Sequence, residues 1–158
     1  KPNTERKKSL AVINLVGDGI HNFVDGALIA SAFILDFHAG LMVTLAVVLH
    51  EIPQEITDFG VLLYAGLSKA KAILYNLLTA LIAVVGALIF YYFGTSVEGI
   101  IPIMLAFAAG NFIYLATADL IPELHHGEDK KQIVSHSLWL VVGVLLMYFV
   151  GQILPHGH

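Results

Sequence analysis

The six residues His50-Glu51-Ile52-Pro53-Gln54-Glu55 carry an imidazole and two carboxylates in the middle of a strongly apolar run. An ionised side chain at the centre of a membrane-spanning helix costs roughly 3 kcal/mol, so such groups usually face the interior of a helix bundle or a water-filled path. Glu51, Glu55 and Asp58 recur at helical spacing, and so do His50, Gln54 and Asp58. The segment therefore predicts a helix with one polar face.

A second polar stripe lies upstream. It consists of Asp18, His21, Asn22 and Asp25, whose spacing of i, i+3, i+4 and i+7 places them on one face of a helix. Two polar faces on successive apolar helices predict one shared site between them.

The composition indicates an integral membrane protein. Of the 158 residues, 58% are hydrophobic and only 13% are charged, which is too apolar for a soluble domain of this size. The absence of cysteine excludes thiolate metal sites and disulfides. A net charge of −4 with no basic recognition face makes nucleic acid an unsuitable partner.

The N-terminal segment does not read as a signal peptide. The apolar run after Lys1 to Lys8 carries Asp18 and Asp25 and is too long for a cleaved signal peptide. Because no methionine opens the chain, we expect further residues before Lys1.

Five apolar segments predict an all-α, polytopic transmembrane helix bundle that forms a single domain over residues 1–158. Each segment has about 20 to 27 residues, enough to cross a hydrocarbon core of roughly 30 Å. A polar turn at residues 36–40 makes the first two segments an antiparallel hairpin, Ser68 is the expected N-cap of the third, and Gly94-Thr95-Ser96 ends it. The five predicted helices are residues 9–35, 41–65, 68–93, 99–120 and 133–153.

The basic residues predict the orientation in the membrane. All 8 Lys and Arg residues fall in alternate connections, and such connections are cytoplasmic by the positive-inside rule. We therefore expect the N-terminus of this chain inside and its C-terminus outside, in a multi-pass protein that most simply resides in the plasma membrane.

The two stripes predict a site for a divalent cation. Asp25 and Glu51 lie at a similar depth, about 15 Å from the turn between the first two helices. Imidazole and carboxylate together suit a borderline ion such as Zn²⁺, and Asn22 and Gln54 add neutral oxygens. Pro53 lacks an amide hydrogen, which leaves the Leu49 carbonyl without its helical partner. The alternative is that these polar groups only pair with one another, but no Lys or Arg lies nearby to balance their negative charge.

The stretches Gly17 to Gly26 and His50 to Glu55 resemble the fourth and fifth transmembrane helices of the ZIP family of zinc and iron permeases. The similarity extends over essentially the whole chain, including Asp119 to His126 at the end of the family's seventh helix. It implies eight helices in the intact protein, with the first three absent here, a homodimer, and alternating access by sliding of the helices that bear the site. It also implies a transport site, possibly binuclear, formed by His21, Asn22, Asp25, His50, Glu51 and Gln54. Gln54 and Thr57 stand where related sequences often have His and Gly.

Further acidic and imidazole groups lie on the predicted cytoplasmic side of the site. They are candidates for an exit path or for hydrogen bonding to the ligands, with a solvated helix end as the alternative for the last three. The single amide Asn76, in an apolar helix, is expected to bridge helices. The candidate pathway residues are Asp18, Glu55, Asp58, Asp119, Glu123 and His125.

The sequence thus predicts a transporter, and not an enzyme, that moves Zn²⁺, and Fe²⁺ or Mn²⁺ as further candidates, towards the cytoplasm. One rival is an intramembrane zinc metalloprotease, because His50-Glu51 begins like the H-E-x-x-H motif. Position 54 is Gln, however, and Pro53 disturbs the helix that this motif requires. A membrane metal sensor or a structural subunit is the third class, and a flux measurement separates all three.

Overall fold

The computed structural model describes residues 4–97, 99–115, 134–135, 138–139, 141–145 and 148–149. Four α-helices lie in the two longer stretches: α1 (Thr4–Leu35), α2 (Phe37–Tyr64), α3 (Lys69–Phe93) and α4 (Ile100–Leu115), with a 3₁₀ turn at Gly94–Ser96. The described positions from 134 to 149 are also helical, and the described residues contain no strand. The predicted all-α class is confirmed. The chain divides into two units, residues 1–101 and 102–158, and the candidate site lies wholly within the first.

The connection between α1 and α2 is a single residue, shorter than predicted. The expected turn over residues 36–40 is instead the first turn of α2, because the Asp36 carboxylate accepts hydrogen bonds from the backbone N–H groups of His38 and Ala39, both at 2.9 Å. This is N-capping, which satisfies amides that have no partner within the helix. The donors, Ala39 first, hold the pKa of Asp36 below its ordinary value. Gly40, expected in the turn, is buried in α2 against the Phe33 ring.

The connection between α2 and α3 contains two recognisable caps. Gly66 has φ of +100°, a conformation that glycine adopts without strain. The N–H of Gly66 donates to the Leu63 carbonyl and that of Leu67 to the Leu62 carbonyl, which is the Schellman pattern. Ser68 then accepts a hydrogen bond from the Lys71 N–H at 3.4 Å, so its predicted N-cap role is confirmed. The third helix ends at Phe93, as predicted.

Helices α1 and α3 pack in parallel through small residues. A Cβ on Gly26 would overlap the Ala83 backbone, and one on Gly86 would overlap the Phe23 carbonyl. Farther along, a Cβ on Gly94 would meet Ile34. Backbones approach this closely only where side chains are absent, which is the usual way that membrane helices associate. The contact with α3 determines which face of α1 lies towards α2.

The outer surface of the helices is apolar. Phe37–Tyr64 and Lys69–Ser96 are long and apolar enough to cross a bilayer, and large side chains such as Leu77, Leu81 and Val85 are about half exposed. A smaller core of Ala11, Leu62, Ala65 and Ala72 joins the start of α1, the end of α2 and the start of α3. Polar groups are correspondingly concentrated between α1 and α2.

Candidate metal site

Four side chains from α1 and α2 converge midway along the two helices. They are His21 and Asp25 from α1 and His50 and Glu51 from α2, and one ligand atom of each lies within 4.8 Å of those of the other three. We call these residues the four-ligand cluster. Asp25 is 1% exposed, and the other three are partly buried. Both polar stripes predicted from the sequence therefore contribute to one site.

The distances within the cluster are short. The Nε2 atoms of His21 and His50 lie 3.2 Å apart. His50 Nε2 is 3.0 Å from Asp25 Oδ2 and 3.4 Å from Glu51 Oε1. His21 Nε2 is 3.3 Å from Glu51 Oε1 and 3.7 Å from Asp25 Oδ2.

These separations suit tetrahedral coordination. Zinc binds imidazole nitrogen and carboxylate oxygen at about 2.0–2.2 Å, and ligands at that distance from a tetrahedral centre lie about 3.3–3.6 Å from one another. The separations of 3.0 to 3.7 Å span that interval. Five of the six ligand-atom pairs are therefore close to tetrahedral spacing, and all six lie within 4.8 Å, so the four side chains can converge on one Zn²⁺.

Backbone contacts orient the His50 ring. Its Nδ1 lies 3.0 Å from the Ala46 carbonyl oxygen, and because a carbonyl can only accept, Nδ1 carries the proton. In the neutral ring Nε2 is then an acceptor, and it lies 3.0 Å from Asp25 Oδ2, which is also an acceptor. That contact is favourable only when a proton or a cation lies between the two atoms. Protons and metal ions therefore compete for this nitrogen.

Asn22 is buried beside the cluster and is 3% exposed. Its Nδ2 donates to Oδ1 and to the backbone carbonyl of Asp18, at 2.8 and 3.1 Å. These two bonds engage the NH₂ group of Asn22, whose other polar side-chain atom is the oxygen Oδ1. Asp18, a predicted pathway residue, is thus in contact with Asn22.

The remaining predicted residues on α2 lie beyond the cluster. Asp58 Oδ1 accepts a 2.6 Å hydrogen bond from Asn14 Nδ2, and Gln54 borders a cavity that also touches His21. Glu55 accepts through its backbone carbonyl a 2.9 Å hydrogen bond from Asn76, which confirms that this amide bridges helices. Asn14 was missed by the sequence analysis, although it precedes Asp18 by four residues and extends the same stripe.

The predicted pathway residues near the end of the fourth segment lie outside the described residues, as do parts of the fourth and fifth predicted helices. They are Asp119, Glu123 and His125.

Comparison with known proteins gives one family. Residues 1–151 match the family described as ZIP Zinc transporter. The human zinc transporter ZIP10 is 37% identical over 152 residues, which cover 90% of this chain and 18% of that protein. Human ZIP6 is 40% identical over 149 residues, 94% of this chain and 19% of the relative. The Caenorhabditis elegans zinc transporter zipt-7.2 is 38% identical over 149 residues, 91% of this chain and 32% of the relative. The chain thus spans a third or less of the length of these three relatives. No solved structure matches it.

Proposed function

Since the chain belongs to the ZIP zinc transporter family, we propose that it forms the ion-binding part of a membrane transporter for Zn²⁺. The observation that supports this assignment is the convergence of four ligand atoms from α1 and α2 within 4.8 Å of one another. Two imidazoles and two carboxylates form a donor set that zinc prefers. The relatives named above are all described as zinc transporters.

In this proposal the ion exchanges its water shell for the four-ligand cluster. His21, Asp25, His50 and Glu51 bind it directly, and Asn22 and Gln54 supply neutral oxygens for a second ion at the same site. The cluster contains no Lys or Arg, so the positive charge of the transported ion balances the negative charge of the two carboxylates.

Several finer features of the proposal rest on the family resemblance and on the charge pattern. Fe²⁺ and Mn²⁺ are further candidate substrates, because carboxylate and imidazole bind them as well. We also propose that transport runs towards the cytoplasm, that the protein is a homodimer and that it lies in the plasma membrane. The positive charge at the start of α3, where Lys69 and Lys71 lie, supports the orientation.

Zinc uptake by the intact protein in proteoliposomes tests the proposal. We expect His50→Ala and Asp25→Ala each to reduce uptake at least tenfold, because each removes a ligand at the centre of the cluster. The matched control is His38→Ala, which removes an imidazole in the first turn of α2, away from the cluster. Uptake near the wild-type rate in either cluster variant, at equal protein amounts, would contradict the assignment. Zinc binding without any flux would instead indicate a sensor.

A further inference from the structure

Basic side chains gather where the start of α1, the end of α2 and the start of α3 meet. The small apolar core of Ala11, Leu62, Ala65 and Ala72 joins these three helix ends. Each basic residue lies at most five positions from Ala11 or Ala72, which is about 7.5 Å along a helix. We call this group the basic end, and its members are Arg6, Lys7, Lys8, Lys69 and Lys71.

The basic end has little acidic charge to balance it. Residues 5–8 and 64–71 contain these five basic side chains and one acidic side chain, Glu5. Lys7 is partly buried and the other four basic residues are exposed. Several like charges so close together repel one another and create a positive potential that attracts anions. The basic end is therefore suited to an anionic ligand.

One of the five cations is held in place by an aromatic ring. Lys7 Nζ lies 5.0 Å from the centroid of the Tyr64 ring, within the range of a cation–π contact. This contact brings a charge from α1 to the end of α2. An ammonium group has three N–H donors, so Lys7 can contact the ring and donate to a phosphate oxygen at the same time.

The position of the basic end along the helices favours a lipid as the source of that phosphate. The two candidate membrane spans end here, since Phe37–Tyr64 finishes at Tyr64 and Lys69–Ser96 begins at Lys69. Tyrosine is enriched at the boundary between membrane and water, and Tyr64 is 59% exposed. An apolar surface begins directly beside the charges, with side chains that are 38% to 66% exposed: Leu10, Ile13, Ile73 and Leu74. A phospholipid matches both parts, because it carries a phosphate next to acyl chains.

We propose that the basic end binds the headgroup phosphate of an anionic phospholipid whose acyl chains cover the adjoining apolar surface. Each Lys or Arg near an anionic membrane surface strengthens binding by about fivefold. A lipid held here attaches the start of α1, the end of α2 and the start of α3 to one leaflet. The proposal holds for either orientation of the chain, because it concerns whichever leaflet the basic end faces.

Native mass spectrometry of the intact purified protein tests this binding, with phosphatidylglycerol and phosphatidylcholine of identical acyl chains as probes. We expect the wild type to retain phosphatidylglycerol at severalfold lower lipid concentrations. The combined change Lys7→Gln, Lys8→Gln and Lys71→Gln should weaken phosphatidylglycerol binding about tenfold or more. The matched control changes the same three residues to Arg, which keeps the charge and should keep the binding. Thermal unfolding of each variant checks that the fold is intact.

A second pair of variants tests the role of the ring. Tyr64→Leu removes the aromatic face beneath Lys7, and we expect it to weaken phosphatidylglycerol binding severalfold. Tyr64→Phe keeps that face and should bind as the wild type does. Equal binding by both variants would show that the ring does not position Lys7 for the lipid.

The outcomes also separate lipid binding from transport. His50→Ala changes the four-ligand cluster and leaves the basic end intact, so it should bind phosphatidylglycerol like the wild type even where zinc uptake is lost. Equal retention of the two lipids, or wild-type binding by the triple Gln variant, would overturn the proposal. Soluble glycerol phosphate that competes at the same concentration as the lipid would also overturn it, because the ligand would then be a free phosphate.

Discussion

At the scale of single residues, the contact between His50 and Asp25 leads us to expect that the proposed metal binding competes with protons. The Nδ1 proton of His50 is held by the Ala46 carbonyl, so the one remaining ring nitrogen binds either a second proton or the ion. An ordinary imidazole has a pKa of about 6.5. We therefore expect the proposed metal site to release protons as metal enters it.

We expect zinc uptake to fall as the pH is lowered from about 7.5 to about 5.5, the interval that brackets the ordinary imidazole pKa. The direction follows because the ligands bind metal only when the imidazoles are neutral and the carboxylates ionised. Calorimetry in two buffers that differ in ionisation enthalpy measures the protons released. Zinc binding near pH 6 without proton release would require a different ligand set.

At position 54, an imidazole should change the preference among metals. Gln54 borders the cavity that touches His21, so Gln54→His brings a nitrogen ligand next to the cluster. Nitrogen favours Zn²⁺ over Mn²⁺, and we expect a severalfold higher Zn²⁺ to Mn²⁺ uptake ratio, a lower KM for zinc and an unchanged or lower maximal rate. Competition uptake in matched vesicles measures the ratio. An unchanged ratio would place Gln54 outside the ligand set.

At the scale of the elements, the contact between α1 and α3 determines how α1 presents its ligands. Gly26 directly follows Asp25, and its packing against the Ala83 backbone leaves no room for a side chain. The polar stripe of α1 is thereby held towards α2, where the α2 ligands lie. A change in this packing should disturb the metal site without altering any ligand.

We expect Gly26→Ala to destabilise the protein by about 1–3 kcal/mol or more, because the added methyl must push two backbones apart. Its matched control is Gly17→Ala in the same helix, where a Cβ meets no atom within 4 Å and alanine favours the helix. Thermal unfolding in detergent compares the two. Equal stability of both variants would mean that α1 and α3 separate more easily than their contact suggests.

At the scale of the whole molecule, we expect the distribution of Lys and Arg to set the direction of insertion. Because the chain lacks cysteine, single cysteines report the side of the membrane without background. Ala70→Cys, near the start of α3, should react with an impermeant thiol reagent only from the cytoplasmic side, and Thr95→Cys, past its end, only from the outer side. Both positions are exposed. The reverse labelling pattern would contradict the predicted orientation.

Most of the helix pattern and the convergence of the two polar stripes could be predicted from the sequence, because long apolar runs and polar residues at helical spacing are both local signals. The start of α2 could not be predicted from the sequence, because capping by Asp36 depends on backbone geometry that a polar, glycine-containing stretch does not reveal. The α1–α3 contact was also missed, because Gly26 and Gly86 matter through what lies opposite them. The spacing of Asn14 to Asp18 was a local signal that the sequence did contain. The pairing of Asn14 with Asp58 appears only when the two helices are brought together.

The glycine contact between α1 and α3 also has a genetic consequence. Every missense change of a glycine codon introduces a side chain with a Cβ, so at Gly26 and Gly86 the first added carbon already meets the opposite backbone, whatever the chemistry beyond it. Inherited variants at these two codons should therefore be depleted as a class, with serine and alanine alleles as rare as arginine alleles. Gly17 and Gly60 have open space around them, and small-residue alleles should persist there in a population.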